Sequence, residues 1–190
     1  MPGVPTTSAD FDSAYRGPIT LWGDVRVPAE VKSLARNRTG QRALELGCGI
    51  GRLTRYLAQQ GLIATGVDFS PVAIARAKQR VEHDELRPDY LVADVTRLDT
   101  VPGPFDVSVD VGCFHCLAGD GQRAYVSAVA RVLAPGGTHL VWALDGAPSG
   151  ARLSPAAVEE VFADEFVLAK SWTSRRRVAR SHWYQLMRRG

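Results

Sequence analysis

The sequence predicts an α/β fold, a mostly parallel sheet with helices on both faces. Three observations carry that prediction. After Gly40, short β-rich runs alternate with helical ones, the pattern of a parallel sheet covered by helices. The run "ALELGCGIGR" (43–52) places glycines at 47, 49 and 51 directly after apolar residues and ahead of a helix, as strands do at the open edge of such a sheet. The chain closes on two β-leaning runs, 166–172 and 181–187, joined across arginines and expected to form an antiparallel pair.

The elements follow in order. Residues 1–41 precede the sheet pattern and read as an N-terminal flap and helix over the cleft; residues 42–190 read as the core, the whole making one domain. The flap carries Phe11, Tyr15 and Trp22, and in "PAEVKSLARN" Val31, Leu34 and Ala35 share a helical face. The first strand is 42–47. The helix after it has Leu53, Tyr56 and Leu57 on one face and stops at Gly61; the second strand is 63–68. "SPVAIARAKQRVE" opens with Ser70 as N-cap and Pro71 at the first helical position, where a missing N–H does no harm. Strands at 88–94 and 105–112 flank a loop. A helix follows over 121–133 with Tyr125, Ala128, Val129, Val132 and Leu133 at helical spacing, "APGG" ends it, and "THLVWAL" is the fifth strand. "SPAAVEEVF" repeats the Ser-Pro helix start.

Composition narrows the function classes. The formal charge of +3 is small and sits largely in "SRRRVAR" (174–180) and the closing "RRG", which reads as a solvated turn and tail and does not by itself argue for a polyanionic partner; no nucleic-acid partner is expected. The first residues lack the basic and apolar regions of a signal peptide, and no run approaches the roughly 18 apolar residues of a membrane span, so a cytoplasmic location is expected. Cys48, Cys113 and Cys116 cannot all pair within the chain and read as reduced thiols. "CFHC" lacks a second pair of ligands to complete a zinc site, so no metal is expected.

Glycine within a regular element costs about 0.5 to 1 kcal/mol relative to alanine, so three in five residues mark a backbone that something must approach closely. Gly51 is followed by Arg52 and Leu53, not by the Lys-Ser/Thr of a P-loop. The GxGxG spacing is not the GxGxxG of dinucleotide oxidoreductases, and no tyrosine has a lysine four positions on. Asp68 ends the second strand, 21 residues after Gly47, where an acid can accept both hydroxyls of a ribose. Asp94 ends the third strand, where a carboxylate can receive an adenine amino group, and Phe69 can lie against the ring. Capping of the following turns is the alternative role for both aspartates.

Taken together, "LELGCGIGR", "GVDFS", "VAD", "FDVSVDVGCFHCL" and "RVLAPGGTHLVWA" resemble, in order and spacing, the motifs of the class I S-adenosylmethionine-dependent methyltransferases over about residues 42–145. The resemblance implies a Rossmann-like seven-stranded sheet of order 3-2-1-4-5-7-6 whose last strand is antiparallel. It also implies S-adenosyl-L-methionine as cofactor. The expected cofactor contacts are Glu45, Gly47, Cys48, Gly49, Gly51, Asp68, Phe69, Asp94, Val95, Asp110 and Gly112. Within these, the glycine loop takes the methionine part, Asp68 the ribose, Asp94 and Val95 the adenine, and Asp110 with Gly112 the amine.

Methyl transfer from a sulfonium is an in-line displacement, so the protein must align the acceptor, exclude water and, where needed, remove a proton. His115, in the loop after the fourth strand, is the candidate base, with packing at a helix start as the alternative. Tyr15, Trp22 and Phe114 are the candidate flap and substrate contacts. No Asn/Asp-Pro-Pro-Tyr motif appears, which argues against adenine N6 and glutamine acceptors. "DVGCFHCL" with "FDSAYRGPITLWGD" looks like the small bacterial enzymes related to thiopurine and tellurite-resistance methyltransferases and to those acting on heterocycles. The expected reaction is methylation of an O, S or N nucleophile of a small molecule. An RNA-directed enzyme, suggested by Arg175, Arg176, Arg177 and Arg180, and a non-catalytic cofactor-binding protein stay open.

Overall fold

A computed structural model describes residues 8–17, 26–85, 87–144, 146, 149–176 and 179–190, with the side chains of 174–180 outside that description. The chain divides into two compact units, residues 1–94 and 95–190. Seven strands form a sheet of order β3-β2-β1-β4-β5-β7-β6, the expected one.

The first unit holds α1 (Ser8–Arg16), α2 (Ala29–Ala35), β1 (Arg42–Leu46), α3 (Arg52–Gln59), β2 (Ile63–Asp68), α4 (Pro71–Arg80) and β3 (Asp89–Val92). β1 pairs parallel with β2, and β2 with β3. Each crossover is a helix whose inner face is apolar or small: Leu57 and Ala58 on α3, Ala73, Ile74 and Ala77 on α4. The sequence signals for α4 work as expected, Pro71 opening the helix and the Ser70 hydroxyl accepting the Ala73 N–H at 3.1 Å.

The second unit holds β4 (Phe105–Val111), a 3-10 turn (Phe114–Cys116), α5 (Asp120–Val132), β5 (Leu133–Leu144), α6 (Pro155–Phe162), β6 (Phe166–Arg176) and β7 (Ala179–Arg188). β4 and β5 are parallel; β7 runs antiparallel to both β5 and β6, the terminal pair foreseen from the sequence. β5 starts earlier than expected. Leu133 already pairs with Phe105, and "APGG" then forms a bulge before the register resumes at Thr138 opposite Val107. The core of this unit is aromatic: Phe114, Tyr125, Phe162 and Phe166 are buried and pack ring to ring around His139. Among the described residues, no helix is long and apolar enough to cross a membrane.

Ser70→Ala removes the acceptor at the start of α4 while leaving its backbone free to stay helical. The expected loss is about 1 kcal/mol of unfolding free energy, read as a lower urea midpoint at unchanged slope.

Candidate functional site

The candidate residues fall into two clusters, one in each unit. In the first, the chain leaves β1 at Leu46 and turns through Gly47, Gly49 and Gly51 before α3 begins. All three glycines are left-handed, with φ of 66°, 52° and 77°, a conformation that other residues adopt only with strain. The turn is tied to the neighbouring strand by Asp68, the last residue of β2. Its Oδ2 accepts the Gly49 N–H at 2.8 Å and its Oδ1 the Ser70 N–H at 2.9 Å. Burial pushes the Asp68 carboxyl up from its usual range, and the two N–H donors oppose that rise. A carboxylate has about four acceptor sites, so two accepted bonds leave lone pairs that the hydroxyls of a ribose can use. These residues therefore fit an adenosyl group.

The bare backbone also has occupants from the protein itself. A Cβ added at Gly51 would lie 2.5 Å from the Tyr90 hydroxyl, and one at Gly49 would lie 2.9 Å from that of Tyr15. Tyr90 donates to the Gly51 carbonyl at 2.9 Å. Tyr15, on α1, is buried with Ile50 and Ala73, and Phe11 and Val72 pack against them. α1 is fastened over the loop in three further ways. The Ser70 hydroxyl donates to Asp12, the Arg76 guanidinium donates to the Tyr15 and Gly17 carbonyls, and Phe11 meets Phe69 edge-on at 5.2 Å between ring centroids. Of these, Asp12, Arg76 and Tyr90 were not singled out in the sequence, and Phe11 was named there only as a flap aromatic. Their partners lie tens of residues away.

The remaining candidates of this unit take distinct places. Glu45 is buried, and its Oε2 accepts the Thr54 N–H at 2.6 Å and the Thr54 hydroxyl, capping the first turn of α3 from inside. Cys48 packs with Ile74, Ala77, Val81 and Tyr90, and burial raises its thiol well above the ordinary range, so it stays protonated. Phe69 keeps 38% of its surface exposed, enough ring for a planar ligand. Asp94 is exposed just beyond β3, and the Ala93 N–H bonds the Asp68 carbonyl at 3.0 Å, which brings the two strand tips side by side.

In the second unit Asp110 is fully buried. Its Oδ1 accepts the Cys113 N–H at 2.8 Å; its Oδ2 accepts the Phe114 N–H at 2.9 Å and the Tyr125 hydroxyl at 2.8 Å, so it caps the 3-10 turn. Tyr125 Oη also lies 3.1 Å from His139 Nε2, and His139 Nδ1 lies 2.7 Å from Ser108 Oγ. With Asp110 ionised, one assignment of protons satisfies the chain: Tyr125 gives its proton to Asp110 and receives from His139 Nε2–H, whose Nδ1 receives from Ser108. Burial pushes Asp110 up to about 6 against these bonds and pushes His139 down to about 3.

His115 is buried, and desolvation lowers it to about 4, so it is neutral near pH 7. Its Nδ1 accepts the Leu144 N–H at 3.3 Å, which leaves the ring proton on Nε2. In this tautomer the ring presents a donor at Nε2, whereas the expected proton-removing role needs an acceptor. The ring stands edge-on to Trp142 at 5.8 Å, and the His115 carbonyl accepts the Ser149 hydroxyl at 2.8 Å. Gly112 has φ 99°, and a Cβ there would lie 3.3 Å from His115 Cε1. Phe114 is in the core against Tyr125 and Phe162, and Val95 is buried. Burial raises Cys116 to about 11, which leaves it a thiol. Trp22, Arg177 and the side chains of Arg175, Arg176 and Arg180 lie outside the described residues. Among the described residues, no group of three or more His, Cys, Asp or Glu could hold a metal ion.

Comparison with known proteins places these clusters in context. The methyltransferase domain family matches residues 43–137. A 2-heptyl-1-hydroxyquinolin-4(1H)-one methyltransferase of Mycobacteroides abscessus is 28% identical over 173 residues, covering 86% of this chain and 76% of its own. Other curated relatives match over shorter stretches, and the match spans 63% or less of their own length. A solved structure described as "Conversion of a Disulfide Bond into a Thioacetal Group during Echinomycin Biosynthesis" superposes with a TM-score of 0.85 at 22% identity, covering 96% of this chain and 93% of that one. The Burkholderia thailandensis 1,6-didemethyltoxoflavin-N1-methyltransferase superposes with a TM-score of 0.79 at 20% identity, covering 96% and 87%.

His139 is neutral when folded and carries a proton at low pH when unfolded, so the unfolded state binds more protons between its folded value of about 3 and the ordinary histidine value. Its contribution to stability is whole above about pH 6.5 and is lost as pH falls, at up to about 1.4 kcal/mol per pH unit. His115 acts in the same sense down to about 4, while Asp110, raised to about 6, acts in the opposite sense. His139→Gln should shallow the acid loss of stability between about pH 6.5 and 4, measured as urea midpoints across that range.

Proposed function

The chain belongs to the methyltransferase domain family, whose cofactor is S-adenosylmethionine, and from that premise we propose that it methylates an acidic hydroxyl of a small aromatic heterocycle. What carries the reading is the left-handed glycine turn tied to Asp68, together with a histidine whose proton is already placed. The cofactor supplies an electrophilic methyl group on a sulfonium. Gly47, Gly49 and Gly51 receive its methionine part, Asp68 its ribose, and Phe69 with Asp94 and Val95 its adenine. Asp110 holds the turn from Gly112 to Cys116, which carries His115, through the Cys113 and Phe114 N–H groups. The role left to His115 is to donate from Nε2 to an anionic or carbonyl oxygen of the acceptor and so orient it. Such a site suits a hydroxyl that ionises by itself near neutrality, because the chain then has only to orient the oxygen and needs no base to take its proton. The hydroxyquinolinone substrate in the name of the Mycobacteroides abscessus relative supports that acceptor class. A cytoplasmic location belongs to the same proposal, supported by three free cysteine thiols.

Calorimetry with S-adenosylhomocysteine should show binding that Asp68→Asn weakens by about tenfold or more, since the variant loses the charged acceptor. Undiminished affinity would remove the ribose assignment. In a screen of hydroxyquinolines, phenols and thiols read out as S-adenosylhomocysteine formed, turnover should follow the ionisation of the acceptor. His115→Gln, which keeps a donor, should retain more turnover than His115→Ala; equal losses would overturn the donor role.

A further inference from the structure

Two cysteines flank Phe114 and His115 in "CFHC" (113–116), the turn that follows β4. Cys113 is itself helical, with φ −93° and ψ −52°, and opens the 3-10 turn over Phe114–Cys116. The Cys116 N–H closes that turn on the Cys113 carbonyl at 2.9 Å. A 3-10 turn holds about three residues and rises about 2 Å per residue, so side chains at i and i+3 eclipse, with their Cα atoms about 6 Å apart. That separation lies inside the roughly 4.4 to 6.8 Å that a disulfide spans. The fold thus brings Cys113 and Cys116 to one side of the turn at a spacing that a sulfur–sulfur bond can bridge.

Exposure and surroundings set this pair apart from the third cysteine. Both are thiols in this structure, Cys113 half-buried and Cys116 exposed, whereas Cys48 is buried. Among the described residues no group of three or more His, Cys, Asp or Glu could hold a metal ion, so the pair has sulfur chemistry open to it rather than ligation. The Cys116 sulfur turns toward the Gly112 carbonyl and donates to it at 3.6 Å, a weak bond that a turn toward Cys113 gives up at small cost. Partial burial of that sulfur, and after it the Asp110 carboxylate, hold Cys116 up at about 11. Cys116 therefore gives the reduced form none of the thiolate stabilisation that makes a disulfide strongly oxidising.

We propose that Cys113 and Cys116 form a thiol–disulfide site, closed by a low-molecular-weight disulfide and reopened by the corresponding thiol. The thiolate of one cysteine attacks a sulfur of the small disulfide, releases one small thiol and leaves a mixed disulfide. The second cysteine, as thiolate, attacks the protein sulfur of that bond, forms the Cys113–Cys116 bridge and releases the second small thiol. The cysteine pair is oxidised by two electrons, the small disulfide is reduced by two, and the two protons end on the released thiols. In a reducing compartment such a pair is a transient, sensing one rather than a structural one. The site is separate chemistry from methyl transfer and meets it at His115, which lies between the two sulfurs. The His115 Nδ1 accepts the Leu144 N–H at 3.3 Å and its carbonyl accepts the Ser149 hydroxyl at 2.8 Å, so a bridge across the turn changes the setting of that ring.

The test uses the full chain in mixtures of reduced and oxidised glutathione, quenched with acid, alkylated, digested with trypsin and weighed by mass spectrometry. As the oxidised share rises, the peptide carrying residues 113–116 should lose two hydrogens and both alkyl groups, while the peptide carrying Cys48 stays alkylated. Dithiothreitol should restore both alkyl groups. Cys113→Ser and Cys116→Ser should each abolish the bridge and leave the remaining cysteine of the turn as a glutathione adduct. Asp110 holds residue 113 by its backbone N–H, so the turn survives the change to serine. The His115 ring resonance, identified by its loss in His115→Gln, should move when the parent is oxidised and return with dithiothreitol. Glutathione adducts with no bridge at any ratio, or a bridge formed only in urea, would overturn the site; an unmoved His115 resonance would overturn its link to that ring.

Discussion

One hydrogen bond organises the first half of the molecule. The Gly49 N–H and the Asp68 carboxylate join a turn that has almost no side chains to the tip of the next strand, across 19 residues of sequence. Left-handed glycines gain nothing from side-chain packing and lose more conformational freedom on folding than any other residue. Such a turn keeps one shape only if its neighbours impose it. Asp68 holds its middle, Glu45 anchors the helix that follows, and Tyr90 takes the Gly51 carbonyl. The same carboxylate also accepts the Ser70 N–H, so the start of α4 and the turn share one acid.

The second half rests on a different arrangement, a line of polar groups sunk in an aromatic core. Ser108, His139, Tyr125 and Asp110 are fully buried, and each proton has one place to go. A buried network of this kind stabilises and specifies when every member is satisfied and destabilises when one is not. Its end at Asp110 is what gives the loop after β4 its shape, because the carboxylate gathers two N–H groups of that loop.

Much of the architecture was legible in the sequence, for local reasons. Ser-Pro starts, glycine stops and the alternation of periods are properties of neighbouring residues, and they place α4 and α6 correctly, while the strand order followed from the resemblance to the methyltransferase family. The early start of β5 escaped because Gly and Pro in "APGG" signal a turn, while pairing with Phe105 is decided by tertiary context. Among site residues, Asp68 and the glycines were visible from spacing alone. Glu45 was visible as an acid, though its anchoring of Thr54 was not. The pairing of Tyr125 with Asp110 and His139, and of Tyr90 and Tyr15 with the glycine turn, depends on contacts that no local pattern encodes.

Helix α1 is nine residues long, too short to persist alone in water, and its partners Ser70 and Arg76 lie 58 and more residues downstream. It is made before these partners and can take its seat only once α4 is in place. An element that precedes the glycine turn in the chain thus completes its cover, and a chain that stops before α4 lacks the residues that hold that cover down.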